Sequence, residues 1–156
     1  MIGFLKEAIQ RGFQLLGYEV HKRTDLPPPP RATMGEGLRW LGARRFPVNT
    51  VLDVGASDAR WTAGCMEHYP DAAYVLFEPQ PVHQETLREF ASAHGPRVRV
   101  VPKAIGGAVG RARFDATDPL GGLLLAEDAG GGSIEVEVTT IDEAVPELRL
   151  APPFLL

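Results

Sequence analysis

Three short apolar runs, each followed by a helical pattern or a turn, constrain this chain more than any other feature. They are Thr50-Val-Leu-Asp-Val54, Ala73-Tyr-Val-Leu-Phe77 and Val98-Arg-Val-Val101. Runs this short and rich in β-branched residues read as strands buried on both faces, and a parallel sheet covered by helices is what buries them so. Between them, 60–69 and 81–93 carry helical patterns, the first stopped by Pro70. The alternation predicts an α/β fold: a doubly wound, mostly parallel sheet with helices on both faces. A further helix is expected over 33–44, with Thr33 as N-cap, Glu36 three residues on, and Leu38 and Leu41 on one face.

Beyond Lys103 the rhythm changes. Arg111-Ala-Arg-Phe114 alternates polar and apolar residues, and Ser133-Ile-Glu-Val-Glu-Val-Thr139 alternates cleanly, with Glu135 and Glu137 on the wet face. The expectation is an antiparallel pair, 110–115 with 133–140, appended to the sheet. The segment 118–132, rich in glycine and acidic residues, reads as a flexible loop between them, with Asp118, Gly121, Gly122 and Asp128 as the parts of a lid. A short helix is expected over 141–148. Phe154-Leu155-Leu156 reads as a core strand just beginning, as though the chain were cut inside a domain.

At the other end, 2–17 has the pattern of an amphipathic helix, suited to packing on its own domain or on a partner subunit, with a membrane surface as the sharper alternative. Pro27-Pro28-Pro29-Pro30 follows as a stiff spacer. The domain reading is therefore an N-terminal helix over 1–26, a Pro-rich spacer over 27–32, and an incomplete sheet domain over 33–156.

Charge and cysteine content narrow the function. Sixteen Lys and Arg against 20 Asp and Glu give a net charge of -4, so no basic field recommends nucleic acid as a partner. One cysteine rules out an internal disulfide and a Cys-rich zinc site, and the four histidines lack metal-ligand spacing, so no metal is expected. Cys65 reads as a small core residue. No leader pattern opens the chain, because Lys6 and Glu7 interrupt the stretch a signal peptide keeps apolar. A cytoplasmic setting is the expectation.

The chemistry concentrates where the first strand ends. Ligands of open parallel sheets bind beyond the carboxyl ends of the strands, near the point where strand order reverses. Gly55 lets a ligand approach the backbone, with Ala56 and Ser57 completing the turn. The helix that follows offers its N-terminus to a carboxylate. Asp53 can meet a cation, and Glu78, 23 residues beyond Gly55, can accept ribose hydroxyls. An ammonium, a carboxylate and a ribose together describe S-adenosyl-L-methionine. A dinucleotide is disfavoured, because Ser57 stands where a second glycine is needed and Asp53 repels a pyrophosphate. The bland alternative, in which both carboxylates are merely solvated strand ends, stays open. Trp61 reads mainly as packing of the helix on the sheet, with shielding of the pocket as its second role.

Thr50-Val-Leu-Asp-Val-Gly-Ala-Ser-Asp-Ala59, Phe77-Glu-Pro-Gln-Pro81, Val101-Pro-Lys-Ala-Ile-Gly106 and Val138-Thr-Thr-Ile-Asp142 resemble, in order and spacing, the signatures of the FkbM family of methyltransferases. The resemblance implies a Rossmann-like class I methyltransferase sheet, represented by its first half. It also implies S-adenosylmethionine as cofactor and O-methylation of a small-molecule or saccharide hydroxyl. Carried over, Asp53 and Gly55 face the methionine part, Glu78 the ribose, and Pro79 and Ala104 flank the adenine. The chain departs from the family in having Ser57 for Asn and Ala59 for Gly, and in lacking the Lys-Ile-Asp motif that follows the apolar run. No catalytic residue is assigned, and the chain as given is expected to bind the cofactor weakly or not at all and not to turn over. A non-catalytic interaction module and a dinucleotide-binding protein are the alternatives; a homo-oligomer stays open.

Overall fold

The structure, a computed structural model, describes residues 33–125 and 133–156. The expected helix over 2–17, the spacer and Asp128 of the expected lid lie outside the described residues. Helix α1 (Met34–Ala43) leads into β1 (Thr50–Val54), α2 (Arg60–Met66), β2 (Ala73–Phe77), a 3-10 turn (Pro81–His83), α3 (Gln84–His94) and β3 (Val98–Val101). Then come β4 (Ala104–Ile105), β5 (Gly110–Asp115), β6 (Leu123–Leu124), β7 (Ser133–Thr139), α4 (Ile141–Glu147) and β8 (Phe154–Leu155).

The first sheet has the order β3-β2-β1-β8, with every neighbouring pair parallel. Its strands alternate between two cores, as the two-residue period of a strand requires. Val51, Tyr74 and Leu76 pack with Leu38, Cys65 and Leu87 of α1, α2 and α3. Leu52, Val75 and Phe77 pack on the other face with Ala144 of α4. Helical side chains thus cover both faces, and the apolar runs needed no polar side. This is an α/β fold built on a four-stranded parallel sheet. Cys65 is fully buried, its thiol pushed up to about 11 chiefly by burial, which leaves it inert.

The antiparallel pair exists, but it is not appended to that sheet. It belongs to a second one, ordered β4-β7-β5-β6, with its own core of Ala104, Phe114, Val136 and Val138. Pro102 accounts for the separation: it has no N–H to continue the ladder after β3, and two residues later the chain pairs with β7 instead. Within β7, Val136 and Val138 are buried and Glu135 and Glu137 exposed, as the alternation predicts. In the described part of the expected loop, β6 pairs to Phe114 and Asp115 of β5.

Element ends differ slightly from the reading. Helix α2 stops at Met66, where His68 and Tyr69 both turn their N–H back to Cys65 O. Helix α4 is N-capped by Thr140, whose hydroxyl accepts the Glu143 N–H at 3.1 Å. The terminal apolar run is a strand: Phe154 and Leu155 pair with Thr50 and Val51, putting β8 beside β1. Strand order therefore reverses at β1, the position that builds the site. No helix among the described residues is long and apolar enough to cross a membrane.

Candidate functional site

The carboxyl ends of β1 and β2 lie side by side, Val54 paired with Phe77. Just beyond them the chain turns sharply at Gly55 (φ 78°), Ser57 (φ 48°) and Ala59 (φ 63°), all left-handed. Glycine takes that conformation freely, whereas alanine and serine are strained in it. Asparagine and glycine are the residues such backbone prefers, so Ser57 and Ala59 both stand at strained positions.

This turn is held from within. The N–H groups of Gly55 and Ala56 go to Phe77 O at 2.9 and 3.2 Å, and Ala59 N–H goes to Ala56 O. Ser57 N–H goes to Glu78 Oε2 at 2.9 Å, while Glu78 Oε1 takes the Gln80 N–H at 2.9 Å. The start of α2 already has an anion, because Asp58 accepts the Arg60 N–H and pairs with its guanidinium at 2.6 Å.

Two clefts flank Gly55. The first, about 290 Å³, is lined by Gly55, Ser57, Glu78, Pro79 and Ala104 from the expected set. Gln80, Phe114, Pro119 and Leu124 are among its other walls. The second, about 250 Å³, is lined by Asp53 and Gly55 together with Trp61, Leu52, Met34 and Leu156. Asp53 therefore stands apart from the other residues, on the far side of the glycine. Ala56 lines neither cleft and is packed in the core, 4% exposed.

Both carboxylates are nearly buried, Asp53 at 7% and Glu78 at 3% exposure. Asp53 Oδ2 accepts the Thr62 hydroxyl from α2 at 2.5 Å, which fixes its direction. Burial pushes the Asp53 carboxyl above the usual range; the Thr62 hydrogen bond opposes this, and the charge of Glu78 adds to it. Among the described ion pairs, none involves either carboxylate. Each is thus a buried acid held by neutral donors, with a cleft beside it. No group of His, Cys, Asp and Glu suited to a metal occurs among the described residues.

No family model and no curated protein matches this chain. Among solved structures it is similar to methyltransferase FkbM from Methylobacillus flagellatus KT, at 17% identity and a TM-score of 0.44. The similarity covers 62% of this chain and 22% of that one, so the chain spans about a fifth of that protein's length.

Two residues beside the first cleft, Gln80 and His83, went unassigned in the sequence reading. Gln80 and His83 both donate to Pro119 O, at 3.1 and 2.8 Å, tying the start of the segment 119–124 over the first cleft. His83 must donate there because a carbonyl only accepts; its Nε2 also lies 3.4 Å from Ser57 Oγ. Trp61 both packs on the core and lines the second cleft, and its buried indole N–H has no hydrogen-bond partner among the described residues. The signal for the first two was weak: two polar residues in and just after Phe77-Glu-Pro-Gln-Pro81, with their partner nearly forty residues on.

Proposed function

We propose that this chain forms the cofactor-binding part of an S-adenosylmethionine-dependent methyltransferase of FkbM type, acting on a hydroxyl of a small molecule or sugar. The observation that carries this reading is the pair of buried carboxylates on adjacent parallel strand tips, one on each side of Gly55, each facing its own cleft. Glu78 suits the ribose, whose hydroxyls donate to the remaining lone pairs of a carboxylate already fixed by two N–H groups. Pro79 and Ala104 give the base apolar walls.

In the second cleft Asp53 suits the ammonium of the amino-acid end. A bound cation offsets the burial that discourages Asp53 from ionising. Gly55 stands between the two clefts and leaves room for the sulfonium to pass. Methyl transfer is an in-line displacement, so the chain's contribution is to orient the methyl group and shut out water. The residue that takes the acceptor's proton is not assigned.

The test is calorimetric titration with S-adenosylhomocysteine, adenosine and NAD. Weak but saturable binding of S-adenosylhomocysteine and none of NAD is expected. Asp53→Asn keeps an oxygen for Thr62, so it folds, and it weakens S-adenosylhomocysteine about tenfold, the loss of one charge-assisted contact, while leaving adenosine unaffected. Binding of NAD alone removes the methyl-donor reading in favour of a dinucleotide.

A further inference from the structure

We propose that the end of helix α1, with the loop that follows it, is a docking surface for an anionic phospholipid membrane. Trp40 and Phe46 are exposed there, at 36% and 59%, beside the exposed side chains of Arg39, Arg44 and Arg45. The Arg44 guanidinium stands 3.6 Å from the centre of the Trp40 ring, over its face. That pair presents a flat apolar ring edged by a cation, a combination suited to the boundary between headgroups and acyl chains.

Charge selects the partner. The whole chain has a net charge of -4, yet 37–52 hold three arginines and no acid. Glu36 answers one of them, Arg39, at 3.7 Å. No described ion pair involves Arg44 or Arg45. Two uncompensated cations on an acidic protein make a face that an anionic surface attracts while repelling the remainder, which also orients the molecule. Residues 43–47 are exposed throughout and line neither cleft, a surface that lies against a sheet of headgroups more readily than it encloses a peptide.

The backbone points the same way. Arg45 is left-handed (φ 51°), its N–H going to Gly42 O at 2.9 Å and the Phe46 N–H to Leu41 O at 3.3 Å. A helix ending of this form ordinarily takes glycine at the Arg45 position. An arginine kept where the fold alone favours glycine serves something other than the fold. The surface also stands away from the second cleft. Met34, at the other end of α1, lines that cleft, and Ala43 follows nine residues on, about 13 Å along the axis. Docking here leaves that cleft open.

The experiment floats the full chain with vesicles of phosphatidylcholine alone and with vesicles of equal parts phosphatidylcholine and phosphatidylglycerol. Wild type is expected to bind the anionic vesicles only, and less as salt rises. Each arginine at such a surface is worth about fivefold in partitioning, so Arg44→Ser with Arg45→Ser lowers binding at least about tenfold. Arg45→Gly lowers it about fivefold without lowering stability in urea, a split that a purely structural role of Arg45 would not produce. Equal binding to both vesicle types, or binding to neither, overturns the proposal. So does undiminished binding in the double variant, which assigns the contact to another part of the chain. Capture by immobilised polyglutamate or duplex DNA, with no affinity for the anionic vesicles, overturns the membrane in favour of a soluble polyanion.

Discussion

The carboxylate of Glu78 accepts one backbone N–H at each oxygen, from Ser57 and from Gln80, and it is almost wholly buried. A strand-end acid read from sequence as a ligand group is therefore also the clasp that fixes the turn after β1 against the turn after β2. Removing it leaves two donors unmatched, each worth about 1–3 kcal/mol when buried. Glu78→Ala is expected to lower stability by about 2–4 kcal/mol, measured by urea unfolding. A loss below about 0.5 kcal/mol would mean that water satisfies both N–H groups. It follows that lost ligand binding in Glu78→Ala does not by itself identify a ribose contact, which is why Asp53→Asn is the better probe of the ligand. Asp53 gives up one hydrogen bond from Thr62, and asparagine can accept it equally well.

At the scale of elements, the segment 119–124 is set on β5 by close approach. A Cβ on Gly122 would fall 2.4 Å from Phe114 Cε1 and 2.9 Å from Asp115 O, too near for any side chain. Gly122→Ala is expected to lift this segment from the first cleft and to cost about 1–3 kcal/mol, as overpacking does. Thermal unfolding measures the cost, and faster exchange of the Leu125 amide, which bonds to Arg113 O, reports the displacement. An unaltered exchange rate there would show that the segment accommodates the methyl in place. Elements of this kind mark the boundary of what was legible. Strand β2 could be read to the residue because burial on both faces leaves an unbroken apolar run, and β1 and β3 because theirs are interrupted only by Asp53 and by the exposed Arg99. Strands β4 and β6 have two residues each, too few to show any period, and their partners lie far along the chain. The same holds in the site. Gly55, Ser57, Glu78, Pro79 and Ala104 were readable from strand ends and from resemblance, and they share one cleft. The ties from Gln80 and His83 to Pro119 depend on a loop folding back, which no local pattern encodes.

Across the whole molecule, the first cleft belongs to neither sheet alone. Gly55 and Glu78 come from the tips of the parallel sheet, while Ala104, Phe114 and Leu124 come from the second sheet, whose core is separate. The second sheet therefore acts as a wall that the parallel sheet lacks, and Pro102, by ending one ladder and releasing the chain to the next, makes that wall available. Such a cleft couples the stability of its two halves, because a ligand that touches both stabilises only the arrangement in which both are in place. Hydrogen exchange with and without S-adenosylhomocysteine measures this. Slower exchange is expected at Ser57 and Gln80 in the parallel-sheet turns and also at Leu124 and Leu125 in the second sheet. Protection confined to Ser57 and Gln80 would mean that the ligand sits on the strand tips alone and that the second sheet contributes no wall to the site.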